Sequence, residues 1–218
     1  HAAQRRESVV ATHALAELVQ SGDVLEVDDP PDLDALRVEQ RHARQADADR
    51  TAVDQAVRGC QRIFHTAAKV STLYGNAALK REIYDCNVLG TRHILASARK
   101  FEVERTVVTG SFSAVGYDPS NPSIPSNEEM RIYPFERMMP YEASKTFVEL
   151  ECLSAANRGL DVTIATSCAI LGPHDYKPSR MGRALCDFAN GKLHAYIQGG
   201  FEFVAMHDIV EGHILTMS

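Results

Sequence analysis

Glycine is missing from the front of this 218-residue chain, where the first is Gly22. No apolar run approaches the roughly 18 residues a membrane helix needs, so no membrane span is expected. Residues 1–6 are polar and carry no apolar signal core, so no secretory leader is expected either. Positive charge is also short. There are 23 Lys and Arg against 29 Asp and Glu, a net charge of -6, and this argues against non-specific nucleic-acid binding. No Cys-x-x-Cys occurs, and the five cysteines (Cys60, Cys86, Cys152, Cys168 and Cys186) are odd in number. They read as structural thiols in a reducing cytoplasm. The histidines are scattered, and His207 and His213 are badly spaced for two ligands on one helical turn, so no metal site is expected. Internal repeats and low-complexity segments are lacking as well.

What is present suits a soluble globular protein, with 44% hydrophobic and 24% charged residues. The length allows one domain, or one domain with a small annex. Helical and strand patterns alternate. Residues 9–20 have helical apolar spacing and are followed by Gly22, and residues 23–27 read as a short strand ending at Asp28. Residues 32–50 are charged and poor in apolar positions, which suits a loop or a solvated helix. A short helix is expected over residues 51–58, a strand over 62–68, and a long helix over 79–100. A β-branched strand over 105–111 leads to a surface loop over 118–136, which holds four prolines. A helix over 141–158, a strand over 161–168 and a helix over 179–190 come next. A strand over 201–206 and a helix over 208–217, with Asp208 as its N-cap, close the chain. Val- and Ile-rich strands separated by helices indicate an α/β fold with a doubly wound parallel sheet.

In such sheets ligands bind beyond the carboxyl ends of the strands. Ala67, Ala68 and Lys69 follow one strand there, Ser111 ends another, and Ala169 and Ile170 follow a third. Small residues at a strand end let a flat cofactor approach the backbone, and they equally suit tight helix–sheet packing. Tyr141 and Lys145 are four apart and share a helix face. An ammonium beside a phenol favours phenolate, making the pair a candidate acid/base. Asn87 sits in an expected helix interior, where it is intrinsically disfavoured, so it would hold a kink or a bound water.

These segments together resemble the extended short-chain dehydrogenase/reductase (NAD-dependent epimerase/dehydratase) family, in its dihydroflavonol reductase and 3β-hydroxysteroid dehydrogenase branch. The resemblance covers residues 48–218. It rests on Ile63-Phe64-His65-Thr66-Ala67-Ala68, Asn87-Val88-Leu89-Gly90-Thr91, Thr109-Gly110-Ser111 and Tyr141-Glu142-Ala143-Ser144-Lys145. Ile170-Leu171-Gly172-Pro173 and Phe203-Val204-Ala205-Met206-His207-Asp208 complete it. It implies a Rossmann-like dinucleotide-binding domain over residues 1–165. Residues 166–218 would form a small, incomplete C-terminal substrate-binding region interleaved with the last elements of the sheet.

By that resemblance Tyr141 is the general acid/base, Ser111 steadies a substrate carbonyl, and Lys145 binds the nicotinamide ribose and lowers the tyrosine pKa. Asn87 helps to place the lysine through water, and Ala67, Ala68 and Lys69 line the cofactor's path, with Ala169 and Ile170 also at the cofactor. The implied activity is NAD(P)-dependent interconversion of a secondary alcohol and a ketone on a hydrophobic small molecule. The alternatives are a nucleotide-sugar epimerase or dehydratase, and a non-catalytic dinucleotide-binding protein. Asp28 could accept hydrogen bonds from the adenosine ribose and would repel a 2′-phosphate, favouring NAD over NADP. It also suits a turn before Pro30, and Arg37 and Arg41 nearby keep NADP open. Phe135, Met138 and Met139 suggest an apolar substrate wall, or equally a loop anchor. No cluster of arginines stands out to clamp a nucleotide diphosphate. A cytoplasmic homodimer through the two long helices is the family expectation.

The family opens with a strand and a Gly-x-x-Gly-x-x-Gly turn that seats a pyrophosphate on a helix N-terminus. Here His1-Ala2-Ala3-Gln4-Arg5-Arg6-Glu7 stands instead, ahead of the expected first helix. The expectation is that residues are missing from the sequence at this point. The alternative is a real loss of the phosphate cradle, leaving a weak cofactor binder or a non-enzyme. The substrate cap also stops early. Two smaller departures are Ser167 where the family often has proline, and Gly110 where it often has serine.

Overall fold

The computed structural model describes residues 9–11, 50–118, 120–121, 123–130, 138–173, 175, 179–195, 199–200 and 202–218. The expected helix beyond residue 11, the strand over 23–27, Asp28, Arg37, Arg41 and Phe135 lie outside them.

Four parallel strands form the main sheet in the order β1-β2-β3-β4: Val9–Ala11, Arg62–His65, Arg105–Thr109 and Val162–Ala165. Val9–Ala11 corrects the sequence reading, which put these residues in a helix. Val10 pairs with Ile63, and Ile63 with Thr106, so three β-branched residues stand in one register across the sheet. Helical spacing and a short strand are hard to separate over three residues, and here pairing with β2 decides.

Strand alternation sends side chains to two faces. On one face, Ile63 packs with Val53 and Val57 of α1 (Arg50–Val57) and with Ile94 and Ala98 of the helix over residues 90–100. Val108, on the same face, packs with Val148, Cys152 and Ala155 of the helix over residues 140–157. On the other face, Phe64 and Val107 pack against Met217 of the C-terminal helix. Helices therefore cover both faces, as the doubly wound reading expects.

The long helix expected over residues 79–100 is three pieces. Asn76 caps α2 (Ala77–Tyr84), its Oδ1 accepting from Leu79 N at 3.0 Å. A π-helical turn follows over Asp85–Leu89, and α3 runs over Gly90–Lys100. The wide turn carries Asn87, and such turns let a helix place a polar side chain that regular pitch would misdirect.

α4 (Pro140–Asn157) starts at a proline whose missing N–H costs nothing there, and the Glu142 carboxylate accepts from Met139 N at 2.9 Å. Gly159, at φ +88°, takes the left-handed conformation that turns the chain into β4. β4 is shorter than expected and stops at Ala165. Ala169–Leu171 is a separate strand, β5, which pairs in parallel with β6 (Phe203–Ala205) in a second sheet. Ala169 and Ile170 are thus strand residues of that small sheet, not a loop beyond β4. α5 (Arg180–Ala189) begins at Ser179, whose Oγ accepts from Gly182 N at 3.0 Å.

α6 (Met206–Met217) has Ala205 at its N-cap position, with no side-chain cap. Asp208 is therefore in the first turn, where its charge suits the helix dipole, and does not cap it. Thr109 Oγ1 and His213 Nε2 lie 2.8 Å apart, and Arg105 Nη1 donates to Thr216 O at 3.3 Å, both tying α6 to β3.

Candidate active site

β3 ends at Thr109, and the chain passes Gly110 into a 3-10 turn over Phe112–Ala114. A Cβ at residue 110 would lie 2.7 Å from both Ile164 Cγ2 and Thr166 Oγ1, so the close approach of β3 to residues 164–166 excludes the serine that the family often has there. Gly110 N and Phe112 N donate to Ala165 O and Ser167 O, each at 2.9 Å, which fixes the intervening Ser111. Ser111 is buried, and its Oγ lies 2.8 Å from Ser113 Oγ.

The first two turns of α4 lie against this strand end. The Tyr141 phenol lies close enough to Ser111 for that hydroxyl to act on its pKa. Lys145, 6% exposed, donates from Nζ to Thr109 O at 2.8 Å. Serine, phenol and ammonium thus meet at the carboxyl end of β3, where the sequence placed them.

The electrostatics differ from expectation. Burial raises the Tyr141 pKa above 10.0, and the Ser111 hydroxyl only partly opposes it. The Lys145 ammonium is engaged with the Thr109 carbonyl. Burial brings the Lys145 pKa down from 10.5 to about 8.

Asn87 is buried. Its Oδ1 accepts from Lys69 N at 2.7 Å, and its Nδ2 donates to Lys69 O at 3.2 Å and to Ser144 Oγ at 2.8 Å. Ser144 in turn donates to Tyr141 O at 2.7 Å. Asn87 therefore ties the loop after β2 to the first turns of α4. Ala67 and Ala68 are half-buried in that loop, and the Lys69 side chain pairs with Glu82 at 2.8 Å.

Sequence reasoning missed His65, Thr91 and Thr109. His65 Nε2 lies 2.9 Å from Thr91 Oγ1, which donates to Asn87 O at 2.6 Å. The signal was available: a histidine ending a buried strand, and Thr91 four residues after Asn87. Met138 is buried, its sulfur 3.8 Å from Thr146 Oγ1. None of the five cysteines is in a disulfide bond. Among the described residues no helix is long and apolar enough to cross a membrane.

A parallel sheet wound on both faces, with serine, tyrosine and lysine gathered at one strand end, defines a Rossmann-like α/β protein. The model of the NAD dependent epimerase/dehydratase family matches residues 7–218, and the chain belongs to that family. It is 42% identical over 185 residues to sterol demethylase protein B of Methylococcus capsulatus, covering 85% of this chain and 54% of that protein. It is 35% identical over 163 residues to a provisionally named dihydroflavonol 4-reductase of Synechocystis sp., covering 74% of this chain and 46% of that one. The chain thus spans about half the length of these curated relatives. Its fold matches the dTDP-glucose 4,6-dehydratase DesIV of Streptomyces venezuelae, solved with NAD, at a TM-score of 0.71 and 23% identity. That match covers 99% of this chain and 64% of the other.

Proposed function

We propose that this chain carries the dinucleotide-binding part of an NAD(P)-dependent oxidoreductase that interconverts a secondary alcohol and a ketone on a hydrophobic small molecule. The observation that carries this reading is the gathering of Ser111 and Tyr141 beside the buried Lys145 at the end of β3. The residues fit the nicotinamide end of the cofactor: half-buried small residues 67–68 after β2 leave the backbone approachable, and Lys145 offers an ammonium. NAD is slightly favoured by Asp28; bound, it would accept a hydride from the alcohol, and its reduced form would give one to the ketone. Residues 1–165 form the cofactor part in this reading, and residues 166–218, with the β5–β6 sheet, the beginning of the substrate region.

Ser111 holds the substrate carbonyl oxygen by its hydroxyl, and Tyr141 delivers a proton to that oxygen. A phenol raised by burial is fully protonated at neutral pH, which suits the acid role in the reductive direction. Lys145 binds the ribose hydroxyls and keeps positive charge near the phenol once the carbonyl it now contacts is shared. The name of the sterol demethylase relative supports a hydrophobic substrate.

A specific observation favours the second reading, a nucleotide-sugar epimerase or dehydratase. Arg180 and Arg183 line a cavity of about 350 Å³ with Ala184, Asp187 and Leu193, a placement suited to an anionic substrate. Asp187 offsets part of that charge, which ranks this reading second.

Titration of the chain with NADH and with NADPH, followed by nucleotide fluorescence, tests the proposal, together with turnover of a 3-keto sterol and of a UDP-sugar. Saturable binding with sterol reduction supports it. Turnover of the UDP-sugar alone selects the second reading, and binding of neither nucleotide contradicts both.

A further inference from the structure

His65 ends β2 with 2% exposure, and the proposed chemistry leaves it unused. Its tautomer follows from its neighbours. Thr91 has one hydroxyl proton and donates it to Asn87 O at 2.6 Å. The 2.9 Å contact between Thr91 Oγ1 and His65 Nε2 must then have the histidine as donor. Nδ1 is left a bare lone pair, and among the described residues it has no partner. A buried acceptor without a donor is destabilising unless positive charge lies near it.

Such charge is near. Register places His65 opposite Val108, one residue before the Thr109 carbonyl that seats Lys145 Nζ, and the lysine's charge acts on the imidazole. The other groups whose charge acts on Lys145 are two thiols, Cys152 on its own helix and Cys86 on the π-helical turn, not carboxylates. Burial pushes the Cys152 thiol up to about 12, so it is neutral at ordinary pH. Tyr141, one turn back on α4, is also protonated there. Among the described residues no carboxylate pairs with the ammonium, which is held by the Thr109 carbonyl.

We propose that His65 is a positioning residue for Lys145: its imidazole, locked with the proton on Nε2, turns the negative end of a fixed dipole toward the buried ammonium and keeps it charged at the end of β3. A neutral ring does this without the repulsion an imidazolium would bring, and burial with the lysine's charge lowers the His65 pKa to about 3, keeping it neutral. The value of a charged Lys145 for turnover rests on the proposed function; the electrostatic coupling does not.

The test is a pH titration of the Lys145 side chain by carbon-13 NMR at Cε, in the full chain without nucleotide, assigned with Lys145→Arg. His65→Gln keeps an N–H toward Thr91 and removes the acceptor at Nδ1, whereas His65→Asn places an amide oxygen near Nδ1. His65→Gln is expected to lower the lysine midpoint by about one pH unit, roughly a tenfold loss in proton affinity, with His65→Asn close to wild type. An unchanged midpoint in a folded His65→Gln chain overturns the proposal. The nitrogen-15 spectrum of the wild-type ring gives a check that no variant can spoil, since a protonated Nδ1 overturns the proposal and a bare one supports it. Because neither measurement needs nucleotide or substrate, failure to bind NADH would remove the proposed function and leave this result standing.

Discussion

Burying Lys145 makes the fold less stable at neutral pH than it would be with an apolar residue of the same length. The drop in its pKa from 10.5 to about 8 corresponds to about 3 kcal/mol. The sign follows from proton counting. Between those two values the unfolded chain holds the lysine proton and the folded chain releases it, so stability rises with pH through that window. Tyr141 acts oppositely: its raised pKa makes the unfolded chain ionise first above 10.0, and stability falls there. His65, lowered from 6.5 to about 3, contributes stability that is present above 6.5 and is lost as pH falls toward 3. Urea midpoints are therefore expected to rise from about pH 7 to about pH 9, with Lys145→Met flattening the rise. A midpoint that falls over that interval in the wild-type chain contradicts the burial assigned to Lys145.

At the scale of elements, the π-helical turn between α2 and α3 exists to deliver one amide. Asn87 bonds both backbone groups of Lys69 and the Ser144 hydroxyl, joining the loop after β2 to α4. Asn87→Ala leaves those buried groups without partners and is expected to cost about 1–3 kcal/mol of unfolding free energy by urea denaturation. A change within about 0.5 kcal/mol, the range of ordinary surface substitutions, would show that the turn is not held this way. The sequence made Asn87 conspicuous, because a mid-helix asparagine is disfavoured, but a spacing rule gives only the position. Its partner Lys69 is 18 residues away, a separation that periodicity does not reach. The same limit explains β1. Val9–Ala11 satisfies a helical pattern locally, and pairing with residues 62–64, far along the chain, makes it a strand. Ser111, Tyr141 and Lys145 were legible because their meeting is dictated by two local facts: a strand end carrying a serine, and a helix carrying tyrosine and lysine one turn apart. The Thr109 carbonyl beneath Lys145, a backbone group, leaves no mark in sequence.

For the whole molecule, the outer face of α4 is apolar where a monomer has no need of it. Phe147, Leu150 and Leu153 are exposed there, and Tyr84 of α2 meets Phe147 edge-on at 6.2 Å between ring centroids. Arg92 and Glu151 pair beside them. Such a stripe suits a homodimer through α2–α3 and α4, the expected partner arrangement. Sedimentation is expected to show a dimer that Leu150→Asp converts to a monomer with unchanged helical content. A wild-type chain that sediments as a monomer contradicts the interface. The central claim, however, is chemical, and it concerns the phenol beside Ser111. Tyr141→Phe removes one oxygen atom from a half-buried ring and leaves Lys145 on the Thr109 carbonyl. The decisive measurement is NADH-dependent reduction of the ketone substrate by this variant alongside its NADH affinity. The expected result is a loss of roughly 10²–10⁴-fold in kcat with NADH affinity close to wild type. Turnover equal to wild type would show that the proton comes from elsewhere.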